Sequence, residues 1–257
     1  EKGISLAAYK ERLDVMPPDT APPELISLLE RLQRLPVPIL VDCTAASGMA
    51  KLYKEALARG IHVVAANKKP LTIPWNERED LMRAAKVNHR AYHYETTVGA
   101  SLPVIDTLKD LVRTGDRVLL IEGSFSGTLG YLSNELSRGV PLSEAVATAR
   151  ERGYTEPHPR DDLSGLDVAR KALILARELN LSLELTDVKV EPFLPEELLR
   201  ADSLDEFFAG LGRYDATMAA RIEGLRKEGK VLRYLARIGP VSDRGTDTMP
   251  PVSSRSE

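Results

Sequence analysis

One cysteine, Cys43, stands among 257 residues, so no internal disulfide framework can form and a reducing compartment suits the chain. Aromatic residues make up only 5%, and no basic stripe has aromatics interleaved with it, which excludes a nucleic-acid partner. No apolar run approaches ~18 residues, so nothing in the sequence spans a membrane. Neither charge sign dominates: 35 Lys and Arg against 38 Asp and Glu give a net charge of −3. A secretory signal is missing, and the chain opens at Glu1 rather than Met, as though cut from something longer. Also missing is any Gly-x-Gly-x-x-Gly, the turn that cradles a pyrophosphate at a helix N-terminus.

What is present reads as α/β. After a helical segment around Pro23–Leu35, the short apolar runs Val37–Asp42 and Ile61–Ala66 read as buried parallel strands, and Ala91–Tyr94 as a third. Helical patterns over Met49–Arg59 and Trp75–Val87 separate them, the first closed by Gly60. Strand, helix and strand in this order predict right-handed crossovers and a parallel sheet, with ligands beyond the carboxyl ends of the strands. From about Leu102 the texture becomes α+β. It comprises a helix (Leu102–Arg113), a strand (Arg117–Gly123), a hydroxyl-rich run at Ser124–Gly130 and helices near Tyr131–Arg138 and Ser143–Arg152. Strands at Val188–Val190 and Lys230–Ile238 flank a helix at Ala216–Arg226. The expected organisation is a parallel α/β unit over 1–94, an α+β unit over 95–238, and a disordered polar tail over 239–257.

The run Gly153-Tyr-Thr-Glu-Pro-His-Pro-Arg-Asp-Asp-Leu-Ser-Gly-Leu-Asp-Val-Ala-Arg-Lys171 carries the densest chemistry. Pro157 and Pro159 stiffen it and keep Glu156 and His158 out of a helix. A helix then begins near Ser164-Gly165, with Asp162 or Ser164 available to cap it. On that helix Asp167 and Lys171 lie one turn apart, about 40° around the axis. Their stripe continues to Ile174, while Arg170 and Arg177 take the opposite flank. A solvated i,i+4 pair is the plain reading. A pair facing inward behind a rigid acidic loop points instead to proton transfer.

Other candidates sit at the strand ends. Lys68, in Asn67-Lys68-Lys69, occupies the ligand position of a parallel sheet or else is a solvated loop charge. Glu95, with carbonyls of the glycine-rich turn after it, offers an oxygen-only set for a hard cation such as Na⁺, K⁺ or Ca²⁺, or is a capping turn. His62, His89 and His93 show no ligand spacing, and Cys43 reads as a buried small hydrophobe.

These stretches, with Ala65-Ala-Asn-Lys-Lys69, Glu95-Thr-Thr-Val-Gly-Ala100 and Phe125-Ser-Gly-Thr-Leu-Gly-Tyr131, resemble homoserine dehydrogenase, most closely the dehydrogenase part of bifunctional aspartokinase–homoserine dehydrogenases. The likeness runs from about Pro36 to Ile238, and it implies that 1–94 is a partial Rossmann-like NAD(P)-binding domain and 95–238 a substrate-binding and dimerisation domain. It implies interconversion of L-homoserine and L-aspartate 4-semialdehyde with NAD or NADP, in threonine, methionine and isoleucine biosynthesis. By position it implies Lys171 and Asp167 as the catalytic pair and Lys68 as a lysine near cofactor and substrate. Glu156 and Asp162, with Lys171, would hold the substrate, the two acids taking its ammonium. Thr44, Ala45, Asn67 and Lys68 would lie against the dinucleotide. Glu95 with the backbone of Val98, Ala100 and Leu102 would form a monovalent-cation site for Na⁺ or K⁺. A homo-oligomer, a fused aspartokinase upstream, and a cytoplasmic or plastid stromal setting follow from the same resemblance.

The chain departs from that pattern as well. The first βαβ unit is expected to be absent, His158 stands where the family has Asp, and Ser101 where it has Gly. Two readings follow: a working dehydrogenase, or a catalytically impaired homologue that keeps the fold and dimer surface without productive cofactor binding.

Overall fold

The computed structural model describes residues 25–155, 159–201, 203–239 and 252–256. Helix α1 (Leu25–Leu32) leads into β1 (Ile39–Asp42), α2 (Met49–Ala58), β2 (His62–Ala65), α3 (Trp75–Val87) and β3 (Tyr92–His93). The three strands pair in parallel in the order β1-β2-β3, Ile39 opposite His62 and Val63 opposite Tyr92. Helices α2 and α3 pack on one another, and α2 on β2, burying Tyr53, Ala56, Leu57 and Leu81.

The strands are not buried on both faces: Ile39 is 47% and Val41 62% exposed, because the two helices cover only one side of the sheet among the described residues. Cys43 is exposed rather than buried. It follows the last paired residue of β1, and strand alternation places it in phase with Ile39 and Val41 on the exposed face.

The second half begins with α4 (Val104–Arg113) and β4 (Ile121–Gly123), followed by α5 (Gly127–Ser137), α6 (Leu142–Glu151), the single turn α7 (Arg160–Leu163) and α8 (Leu166–Glu178). After these come β5 (Lys189–Val190), α9 (Glu196–Leu199), α10 (Leu204–Leu211), α11 (Asp215–Lys227), β6 (Tyr234–Ile238) and β7 (Val252–Ser256). The sheet order is β4-β6-β7-β5, antiparallel at β4/β6 and β6/β7 and parallel at β7/β5. The disordered-tail expectation therefore fails for 252–256, which lie between two strands of this sheet. A polar composition does not prevent a strand that a neighbouring strand pairs along its whole length, as β6 pairs β7.

Helix α8 is the axis of the molecule. Val168, Ala169 and every residue from Ala172 to Arg177 are buried, and the helix packs on β6, β7 and α4. It has no solvated flank at its C-terminal half, so Arg177 is 1% exposed and not on an outer face as its helical phase implied. Its N-cap is neither Asp162 nor Ser164 but Gly165, at φ +77°. Asp162 belongs instead to α7, one helical turn within what the prolines make look like an uninterrupted loop.

Candidate active site

The carboxyl ends of β1 and β2 face the N-termini of α5 and α8 across a cleft of about 650 Å³. Asp167 projects from the first turn of α8, and both its oxygens meet lysines. Lys171, one turn on, places Nζ 2.6 Å from Oδ2; Lys68, from the loop after β2, places Nζ 3.5 Å from Oδ1. Lys171 Nζ also donates to the Phe125 carbonyl at 2.6 Å, which ties it to the turn before α5. Its side chain is 16% exposed against 37% for Asp167. The pair is thus partly desolvated and opens onto the cleft, as the inward stripe predicts.

Opposite, Thr128 on α5 donates to the Tyr154 carbonyl (2.6 Å) and approaches Asp162 Oδ1 (3.4 Å). Ser126 caps α5 by accepting from Leu129 N at 3.1 Å. Ser126, Gly127, Thr128, Tyr154 and Arg170 all line the cleft. Sequence reasoning assigned none of them a role. The available signal was the hydroxyl-rich strand-to-helix turn, Ser124–Thr128, a local form that leaves backbone N–H groups free for a ligand. Glu156 and His158 lie outside the described residues. Among the described ones the cleft wall holds four cationic side chains (Lys68, Lys69, Arg170, Lys171) against two carboxylates, a balance that favours an anionic cofactor.

Behind the cleft, buried Asp42 organises both strand-end loops. It accepts from Thr44 N (2.7 Å), Asn67 Nδ2 (3.1 Å) and the Tyr53 hydroxyl. Asn67 in turn donates to the Ala46 carbonyl (2.9 Å) and accepts from Lys69 N (3.1 Å). Asn67 is 2% exposed, and its amide is engaged within the protein. Of the strand-end residues expected to meet the dinucleotide, Ala45 and Lys68 line the cleft; Thr44 is exposed beside them, and Asn67 is buried behind them. Burial pushes the Asp42 carboxyl up, but the hydrogen bonds from Tyr53, Thr44 and Asn67 outweigh it and hold the group below its ordinary value. Burial and the neighbouring Asp42 push the Tyr53 phenol up, so it stays a donor.

A depressed carboxyl pKa contributes stability above the unfolded value, near about 3.9, and loses it as pH falls through the folded value. Asp42→Asn is therefore expected to cost about 1–3 kcal/mol at neutral pH, since the network is left mispaired. Urea midpoints should show the gap from the unsubstituted protein narrowing below about pH 4; a gap constant down to pH 2 would contradict this account.

Glu95 serves as a helix cap: Oε1 accepts from Ile105 N and Oε2 from Asp106 N, each at 2.8 Å, at the start of α4. That is the capping alternative of the sequence reading. Among the described residues, no group of three or more His, Cys, Asp or Glu is placed to hold a metal. No described helix is long and apolar enough to cross a membrane.

Residues 5–95 match the family model for the homoserine dehydrogenase NAD binding domain, and residues 103–254 match that for homoserine dehydrogenase itself. The chain belongs to the homoserine dehydrogenase family. A bifunctional aspartokinase/homoserine dehydrogenase of Haemophilus influenzae is 44% identical over 240 residues, covering 93% of this chain and 29% of that protein. A homoserine dehydrogenase of Emericella nidulans is 45% identical over 210 residues, 78% of this chain and 57% of that one. The crystal structure of homoserine dehydrogenase from Thermoplasma acidophilum superposes with a TM-score of 0.65 at 27% identity, covering 97% of this chain and 66% of that chain. The chain thus spans less than a third of its bifunctional relative's length. Family and α/β architecture are as the motifs implied.

Proposed function

We propose that this chain supplies a homoserine dehydrogenase active site, interconverting L-aspartate 4-semialdehyde and L-homoserine with NAD or NADP. The observation that carries the reading is the placement of Lys68 and Lys171 on the two oxygens of Asp167, inside a cleft that Asp162 also enters. The nicotinamide dinucleotide, when bound, supplies or accepts the hydride. Ala45 and Lys68 at the strand ends would lie against it, with Lys69 beside them.

The chain's own groups handle binding and the proton. Asp162, with Glu156, receives the substrate's ammonium, and the Thr128 hydroxyl stands 3.4 Å from Asp162 Oδ1. When homoserine is oxidised, its hydroxyl must lose a proton as hydride leaves the same carbon. Lys171 Nζ takes that proton, and in the reverse direction gives it to the carbonyl oxygen of the semialdehyde. Asp167 fixes the lysine's direction and offsets its charge. Lys68, on the other carboxylate oxygen, sits at the border between substrate and dinucleotide. A Na⁺ or K⁺ ion held by Glu95 and the carbonyls of Val98, Ala100 and Leu102 extends the same family reading. Glu95 keeps lone pairs beyond the two used for capping, and the ion enters no step here. A homo-oligomer, an upstream aspartokinase as in the Haemophilus relative, and a cytoplasmic or stromal setting complete the proposal.

The test is direct. Full-length protein is mixed with aspartate semialdehyde and NADPH or NADH, and nicotinamide absorbance is followed. Turnover that tracks enzyme concentration is the expected result. No turnover with either cofactor, from folded protein, would replace this reading with that of a non-catalytic homologue.

A further inference from the structure

Arg177 lies ten residues beyond Asp167 on α8, about 15 Å along the helix, and touches nothing in the cleft. Its side chain is fully buried, and each of its five N–H groups is engaged. Nη1 donates to the carbonyls of Leu71 (2.7 Å) and Ile73 (2.8 Å). Nε and Nη2 both donate to the Leu183 carbonyl, at 3.0 and 2.8 Å, and Nη2 also to Glu184 Oε2 at 3.0 Å. Leu71 closes the 3₁₀ turn Lys69–Leu71, which begins immediately after Lys68. Glu184 extends the clasp, its other oxygen accepting from Trp75 N at 2.7 Å, the first residue of α3.

The consequence is geometric. Lys68 belongs to the parallel-sheet half, while Asp167 and Lys171 belong to α8. Their 3.5 Å meeting requires the loop after β2 to stand at one height along that helix. Arg177 grips this loop nearly three turns farther down the same helix, by main-chain carbonyls that no substitution of loop side chains would alter. A lysine offers three donors from one point and cannot reproduce a planar five-bond fork.

We propose that Arg177 is a positioning residue for the two-lysine site, setting Lys68 against Asp167 through the carbonyls of Leu71 and Ile73. This rests on the proposed dehydrogenase reading of the cleft. A purely structural arginine would lower stability and leave the folded enzyme's turnover intact, whereas a positioning one acts through Lys68 and is coupled to it.

A double-substitution cycle on the full-length protein separates the two. Well below the unfolding temperature, Arg177→Lys should lower kcat for aspartate semialdehyde on the order of 100-fold, with a much smaller change in KM. In a Lys68→Met background the same substitution should have little further effect, because the group it positions is already gone. Glu184→Gln, which spares four of the five bonds, runs through the same cycle and should give a smaller loss with the same coupling; it carries the test if Arg177→Lys does not fold. Losses that multiply independently of Lys68, or an unchanged kcat in folded variants, overturn the positioning role and leave the dehydrogenase reading standing. No turnover by the unsubstituted protein overturns both.

Discussion

Replacing Lys171 with methionine is expected to reduce turnover of aspartate semialdehyde on the order of 10³-fold, within the range that a positioned proton donor contributes. Methionine keeps the length and most of the volume of the side chain, so the packing of α8 changes little. What disappears is the ammonium that bridges Asp167 Oδ2 and the Phe125 carbonyl, each 2.6 Å away. The loss should fall mainly on kcat, because the acids proposed to hold the substrate's ammonium, Glu156 and Asp162, are untouched. Residual activity is expected from Lys68, 3.5 Å from the other oxygen of Asp167 and free to swing toward it. Lys68→Met should therefore cost less, and the double variant should fall to the level given by cofactor and substrate proximity alone. The decisive comparison is steady-state kcat for the three variants. Equal losses at Lys68 and Lys171 would remove Lys171 from the proton-transfer step, and a change confined to KM would make it a binding group.

How much of this site was legible before the structure depended on how far apart in the chain its members lie. Asp167 and Lys171 are four residues apart on one helix, and helical geometry alone brings them together. Lys68 arrives from 99 residues away, and only the resemblance, never the spacing, could place it there. Asn67 is a different case. Its position at a strand end implied a ligand contact, and its amide nitrogen is engaged by Asp42 and the Ala46 carbonyl. An amide at such a point can face forward or backward, and the choice is made by a buried carboxylate 25 residues upstream.

The fold divides along the same line. Periodic segments such as Trp75–Val87 end where their pattern ends. The segment 191–211 gave no periodic signal long enough to read, and α9 and α10 are four- and eight-residue helices held by their surroundings. Val252–Ser256 is a strand only because β5 and β6 flank it, which no local composition reveals. Arg177 was misplaced for a related reason. A helical wheel assigns one face to solvent, but α8 is wrapped by β6, β7 and α4, so its polar position required an internal set of acceptors instead.

The largest stability effect is expected at the cap of that helix. Gly165 adopts φ +77°, where an L side chain strains the backbone by about 1–2 kcal/mol. A Cβ there would also stand 2.0 Å from the Tyr234 hydroxyl oxygen and 3.2 Å from Val190 Cγ1. Tyr234 cannot easily withdraw: it is 1% exposed, its hydroxyl donates to the Glu191 carbonyl at 2.7 Å, and its ring packs edge-on against Phe193. Relief must come either from breaking that buried hydrogen bond, at about 1–3 kcal/mol, or from lifting the first turn of α8 with Asp167 on it. Gly165→Ala should therefore destabilise the protein by on the order of 3–5 kcal/mol, measured as a shift in urea midpoint at constant slope. Adding Tyr234→Phe separates the two components. Removing the hydroxyl relieves the collision and should recover part of the loss, leaving the backbone strain. A Gly165→Ala protein within about 0.5 kcal/mol of the original would mean that the α7–α8 junction adjusts freely and that neither the strain nor the collision is felt.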